Sequence, residues 1–178
     1  GIWGHRLLDG PFFRDSSEGP APWTERLATL ALSPPTEAWL PNGRLAGLVR
    51  YARDCTGPND RLLATWYMPQ LYLFAWRGFA GGMAVFLGGH WSETPSQQQI
   101  LSRLRRQSVP IVFVDLSSYE AFQSDFELID DYLRANYRIA GESTLGNSDI
   151  NEPGYRVLVQ SDRMPSRIYE PWQLPCFQ

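Results

Sequence analysis

Few side chains in this chain have types and spacing suited to chemistry, and those few lie far apart. Histidine occurs twice, at His5 and His90. His90 follows Gly88-Gly89 and precedes Trp91, so it reads first as a solvent-facing loop residue; a lone imidazole has no partner to define an acid–base role. No group of His, Cys, Asp and Glu has metal-ligand spacing, which argues against zinc. No Walker sequence or dinucleotide glycine fingerprint occurs, and Gly78, Gly81 and Gly82 have the wrong spacing and context for a phosphate loop. No G-x-S-x-G elbow supports a hydrolase. The reading is therefore of a chain with no catalytic residue, no metal ligand and no cofactor of its own.

Two side chains carry competing readings. Asp115 ends the most apolar strand candidate just before a helix start, where α/β enzymes often place a working carboxylate. The simpler role is acceptance of backbone N–H bonds in the strand-to-helix turn. Arg77 follows an apolar helix and precedes Gly78-Phe79-Ala80. Its guanidinium either pairs with carbonyls at the helix end or holds an anionic group at the sheet edge. Asp125, Asp130 and Asp131 read as the solvated face of a helix. As binding candidates the sequence offers Arg77, Asp115, Tyr72, His90 and Trp91.

The elements that must position these residues follow from periodicity and punctuation. Residues 1–43 are proline-rich and aperiodic, with a short helix at Trp23–Leu32. Trp3, Phe12, Phe13, Trp23 and Trp39 make this an ordered arm, too apolar to stay solvated. A helix begins near Asn42 with Leu45, Leu48, Val49 and Ala52 on one stripe, and stops before Gly57-Pro58. Arg61–Tyr67 reads as a buried strand. Pro69 opens a helix to Trp76, its missing N–H being tolerated in the first turn. Gly81–Leu87 suggests a short strand. Thr94-Pro95-Ser96-Gln97 fits a capping box for a helix from Pro95 to Gln107. Val109–Val114 is uncharged and β-branched, as expected of a strand covered on both faces. Ser117–Glu120 is a second capping-box pattern, opening one helix to about Asn136. Tyr137–Glu142 and Tyr155–Gln160 read as late strands forming a hairpin, joined through polar Asn147–Gly154. The end, YEPWQLPCFQ, reads as irregular tail.

This alternation implies one α/β domain over residues 1–178, with a mostly parallel sheet of about four to five strands and helices on both faces. Rossmann-like and flavodoxin-like three-layer orders both fit. At 178 residues the chain can bury about 70% of its unfolded surface and needs no staple to fold. A net charge of −3 argues against a nucleic-acid partner. All sixteen basic residues are arginine, which reads as base composition or as forks gripping anions. Seven tryptophans and eight tyrosines exceed a minimal core; some could stack on sugars or sit near a membrane interface. Cys55 and Cys176 read most simply as two free thiols. Pairing would require the tail to fold back beside the Cys55 helix, in an oxidising compartment. No segment approaches the roughly 18 apolar residues of a membrane span, and no signal peptide opens the chain.

The run LAGLVRYARDCTGPNDRLLATWYMPQLYLFAWRGFAGG resembles the part that follows the last transmembrane helix in bacterial polytopic glycosyltransferases related to dolichyl-phosphate-mannose protein mannosyltransferases. The shared pattern is the turn Thr56-Gly57-Pro58-Asn59-Asp60-Arg61, then Pro69, Leu71, Tyr72 and Arg77. A glutamine-rich helix, a V-P-I-V strand, and Phe126, Tyr132, Leu133 and Tyr137 follow. The similarity spans roughly residues 44–140 and leaves the arm unmatched. It implies an extracytoplasmic, periplasmic or cell-surface domain tethered to the cytoplasmic membrane. Its partners would be the membrane-embedded remainder of the same polypeptide and a glycan or lipid-linked sugar. Such enzymes transfer sugar from a lipid-phosphate donor, with their catalytic acids in the membrane half, so this domain would be accessory and inactive alone. Two other readings stand beside it: a small stand-alone α/β enzyme with Asp115 and Arg77 in one pocket at the carboxyl edge of the sheet, and a sugar-binding or protein-interaction module using Trp91 and Trp172.

Overall fold

A computed structural model describes residues 44–143 and 154–178. The expected arm, its Trp23–Leu32 helix and nearly all of the polar connection before residue 155 lie outside the described residues. Residues Leu40–Gln178 cluster as one unit.

The elements, in chain order, are α1 (Arg44–Cys55), β1 (Arg61–Ala64), α2 (Pro69–Ala75), β2 (Gly78–Phe79), a 3₁₀ turn (Ala80–Gly82) and α3 (Thr94–Leu104). They continue as β3 (Ile111–Asp115), α4 (Tyr119–Asp125), α5 (Glu127–Asn136), β4 (Tyr137–Ser143), β5 (Tyr155–Gln160), β6 (Arg167–Tyr169) and β7 (Leu174–Cys176). The fold is mixed α/β, with five α-helices among the described residues.

The main sheet has the order β2-β1-β3-β5-β4. β1 runs parallel to β2 and to β3, with Leu62 opposite Ile111. β5 is antiparallel to both β3 and β4. Since β4 therefore runs with β3, β5 alone opposes the other four strands, and the sheet is mostly parallel, as expected, but mixed rather than purely parallel. The reason lies in the connections: β1 and β3 are joined through α2 and α3, while the stretch from Ser143 to Tyr155 is shorter than the dozen or more residues a parallel crossover takes. Strands joined without a crossover pair antiparallel.

Side chains alternate across the sheet. Leu62, Ala64, Ile111, Phe113, Val157 and Val159 join a core with α1, α2 and the C-terminal tail. Leu63, Val112 and Val114 join a second core with α3, α4 and α5. β3 is buried at all of its five positions; the apolar run Ile111–Val114 suits a strand covered on both faces, and Asp115 at its end is buried as well. On α1 the buried stripe is Leu48, Val49, Tyr51, Ala52 and Cys55. Gly47 sits where a Cβ would lie 2.6 Å from the Trp172 ring, so the tail packs onto α1 only because that side chain is missing.

Several local expectations are corrected. β1 stops at Ala64 instead of reaching Tyr67. No strand forms at the expected Gly81–Leu87: the short strand β2 lies just before it, Gly81 (φ 68°) and Gly82 end the 3₁₀ turn, and the chain then runs irregularly to an isolated bridge between Leu87 and His90. The helix expected from Ser117 to Asn136 is two helices, broken where Phe126 leaves helical geometry (φ −127°, ψ 46°). The break lets Phe122 and Phe126 both set their rings against Phe86, at 5.5 Å and 5.1 Å between centroids. Burying a second aromatic ring outweighs the lost helical continuity. Neither capping box forms: Glu93 and Ser118 hold the N-cap positions without side-chain caps. Gln97, assigned to the first box, has a different task. Its amide donates to Ser92 O and Asp125 O, and its oxygen accepts from Leu128 N at 3.0 Å. It satisfies backbone groups exposed by the α4–α5 break.

The tail is ordered rather than irregular. β6 and β7 form a two-stranded ribbon, and Cys176 forms a disulfide with Cys55 across 121 residues of sequence. The simpler reading of two free thiols is therefore wrong. Tyr51 Oη donates to Pro175 O at 2.8 Å, and Phe177 N donates to Cys55 O at 2.8 Å. These bonds return the tail to α1 and bring the sulfurs together. The ordered geometry of the tail, which local sequence does not encode, decides the pairing.

Candidate functional site

Parallel pairing of β1 with β2 fixes where the five candidate residues lie. Arg61 opposes Gly78, so Arg77 sits at the amino edge of the sheet. Asp115 ends β3, which is parallel to β1, and so lies at the carboxyl edge. The two do not share a pocket, and the two-residue site imagined for a stand-alone enzyme is not assembled.

Arg77 is bound internally. Its Nε donates to Thr56 Oγ1 at 2.9 Å. Nη1 donates to Ala75 O and Trp76 O, and Nη2 to Arg53 O and Thr56 O. A guanidinium has five N–H donors, and each has a partner. The side chain ties the carboxyl end of α1 to that of α2, the carbonyl-pairing role of the two read from sequence. Burial lowers the Arg77 pKa, with Asp60 acting against it.

Asp115 is buried and works in its own turn. Its Oδ1 accepts from Ser117 N at 2.9 Å and Ser117 Oγ at 2.7 Å. Its amide donates to Thr65 Oγ1, tying the ends of β1 and β3 together. Asp130, read as solvated, is also buried and accepts from Tyr119 Oη and Gln123 Nε2, with Arg134 Nε at 3.1 Å.

Tyr72, His90 and Trp91 are gathered at a different place. The chain past β1 and β2 encloses an open groove of about 480 Å³, lined by Tyr67, Phe79, Met83, Leu87, His90 and Trp91, among others. A tight turn, closed by His90 N donating to Leu87 O at 3.1 Å, presents the last two. Gly89 occupies its left-handed position at φ 77°. Tyr72 lies beneath: its ring meets Phe79 edge-on at 6.0 Å, and its hydroxyl accepts from Ala64 N at 3.1 Å. Tyr67, Phe79 and Trp91 keep 56%, 40% and 59% of their surface exposed.

Tyr67 and Phe79 escaped the sequence reading. The signal that points to them is charge: from Leu62 to Ser92 the only formally charged side chain is Arg77, and its donors all face inward. A surface segment this free of charge is unusual, because exposed backbone is ordinarily accompanied by Asp, Glu, Lys or Arg. Trp172, the other ring offered for sugar stacking, is half-buried. It packs on Tyr51 and Tyr169 at 5.7 Å and 5.9 Å and belongs to the core.

The groove presents mainly aromatic and aliphatic surface. It contains one imidazole and no carboxylate, thiol or primary alcohol among its lining residues, so no nucleophile–base pair is present there. Among the described residues no cluster of His, Cys, Asp and Glu could hold a metal ion, and no helix is long and apolar enough to cross a membrane. Compared with protein-family models, with curated proteins and with solved structures, the chain matches none.

The buried tyrosines give the domain an alkaline limit. Burial pushes the Tyr72 hydroxyl up to about 12, with its bond to Ala64 N acting against the shift. Tyr51 and Tyr137 are raised in the same direction by burial. A raised folded-state pKa means that stability is intact below the ordinary tyrosine value near 10 and is lost as pH rises from there through about 12. Ultraviolet titration of tyrosinate should therefore show a first, reversible group of exposed tyrosines. The buried ones should ionise only together with loss of far-UV ellipticity. Ionisation of every tyrosine near 10 with the fold intact would contradict this burial.

Proposed function

We propose that this chain is an extracytoplasmic accessory domain of a membrane glycosyltransferase, without catalysis of its own, that contributes a glycan-side binding surface to the membrane-embedded remainder of its polypeptide. The observation that carries this reading is the Cys55–Cys176 bond. Structural disulfides persist in oxidising compartments and are rare where glutathione keeps thiols reduced. The resemblance of residues 44–140 to the post-membrane part of lipid-phosphate-dependent sugar transferases supplies the enzyme class. We read the fold as a three-layer, flavodoxin-like variant. The strand order 2-1-3 of its parallel part supports this, with an antiparallel pair in place of the last parallel strands.

A protease-accessibility experiment on cells of the native host tests the proposal. The chain should sediment with membranes, resist salt extraction, be cleaved by protease added from outside, and contain no alkylatable thiol before reduction. Recovery of the chain in the soluble cytosolic fraction with two reactive cysteines would overturn it. The isolated chain should show no sugar transfer from polyprenyl-phosphate donors.

A second reading, a sugar-binding module in its own right, is favoured by one observation: the exposed rings lining the groove. It differs from the first in requiring no membrane-embedded partner, and the same fractionation separates the two.

A further inference from the structure

We infer that the groove between Tyr67, Phe79, His90 and Trp91 is a site for a neutral pyranose sugar, with the Trp91 ring as its stacking platform. The inference deepens the function proposed above and rests on it for the ligand class.

Trp91 is the starting point. Its backbone is left-handed, at φ 60°, a conformation that costs free energy for any residue but glycine. Its ring is 59% exposed and so returns little from burial. A glycine there would relieve the backbone and expose less apolar surface. Trp76 shares both features, at φ 55° and 66% exposed, but lies outside the groove; what sets Trp91 apart is its place beside Tyr67, Phe79 and His90, where a ligand covering the ring would offset the backbone cost.

The chemistry around Trp91 selects the ligand. No lining residue is Asp, Glu, Lys or Arg, so a charged ligand would find no counter-ion. Flat aromatic faces at Tyr67, Phe79 and Trp91 suit a flat apolar surface, and the Tyr67 hydroxyl and His90 imidazole supply polar atoms beside them. A pyranose has this division: C–H bonds on its face, hydroxyls around its edge. The groove, at about 480 Å³, falls among small-molecule sites, typically about 300–1,000 Å³. Its openness to solvent suits a ring at the end of a longer glycan.

The test titrates the full 178-residue chain with mannobiose, cellobiose, chitobiose and maltose, reading tryptophan fluorescence and calorimetric heat. At least one of them should give saturable quenching with millimolar or tighter affinity. Trp91→Gly should weaken that binding about ten-fold or more while leaving the melting temperature equal or higher; Tyr67→Ala should weaken it less. A phosphorylated form of the same sugar should bind no better than the neutral one. Absence of saturation with every disaccharide up to about 20 mM, which corresponds to negligible affinity, would overturn the inference. So would unchanged affinity in Trp91→Gly, or binding of octyl glycosides that follows the alkyl chain and is lost with the free sugar. These outcomes leave the membrane fractionation result untouched, so the site and the wider function fail separately.

Discussion

Replacing both Cys55 and Cys176 by serine should destabilise the domain by about 2–5 kcal/mol. The two residues are 121 apart in sequence, and the chain-entropy account assigns roughly 5 kcal/mol to closing so long a loop. The observed loss should fall below that ceiling because the tail has other anchors. Tyr51 Oη donates to Pro175 O, Phe177 N donates to Cys55 O, and Arg163 bridges the buried Asp60 and Phe177 O. For a domain whose whole stability is of order 5–15 kcal/mol, the loss takes a large fraction of it. Urea unfolding of the oxidised protein, the reduced protein and the double serine variant measures it. The last two should agree, and both should unfold at lower urea, with a steeper slope because the unfolded chain without the cross-link exposes more surface. Coincident midpoints for all three would mean that the bond adds nothing to the folded state.

Arg77→Ala should cost about 2–4 kcal/mol, a sum over charge-assisted bonds whose carbonyl partners at two helix ends lose their donor. Arg53 O and Thr56 O close α1, and Ala75 O and Trp76 O close α2. Arg77→Lys should recover less than half of the loss, because an ammonium cannot reproduce the planar fork. Binding in the groove, measured per folded molecule, should be unchanged, since Arg77 does not line it and all its donors are taken by Thr56 and backbone oxygens. Thermal unfolding together with the sugar titration separates the two roles. A stable Arg77→Ala variant that has lost binding would restore Arg77 as a ligand residue.

Elements whose character is local were legible. β3 could be read because an uncharged run of β-branched residues has few stable homes besides a doubly covered strand. The β4–β5 hairpin and the Pro69 start of α2 were equally plain. The break at Phe126 was not, because continuous helical periodicity carries no mark of a ring far upstream at Phe86, before α3 and β3. Gln97 matched a capping pattern, yet it was drawn to backbone groups more than 25 residues downstream. β6 and β7 are three residues each and include Pro175, too short for any periodicity to register.

The candidate site divides in the same way. His90 and Trp91 were visible through the Gly88-Gly89 turn that presents them, and Tyr72 through its helix. Their assembly with Tyr67 and Phe79 was not visible, since it depends on the segment after β2 folding across the end of β1. Residue order alone determined the α/β class, the identity of the central strand and the lack of charge between Leu62 and Ser92, because these are properties of composition and short-range spacing. Only folding decided that Arg77 and Asp115 stand at opposite edges, that the tail reaches Cys55, and that three exposed rings share one groove. Each of those facts is a contact between distant segments, and strand direction and core packing, rather than neighbouring residues, set such contacts.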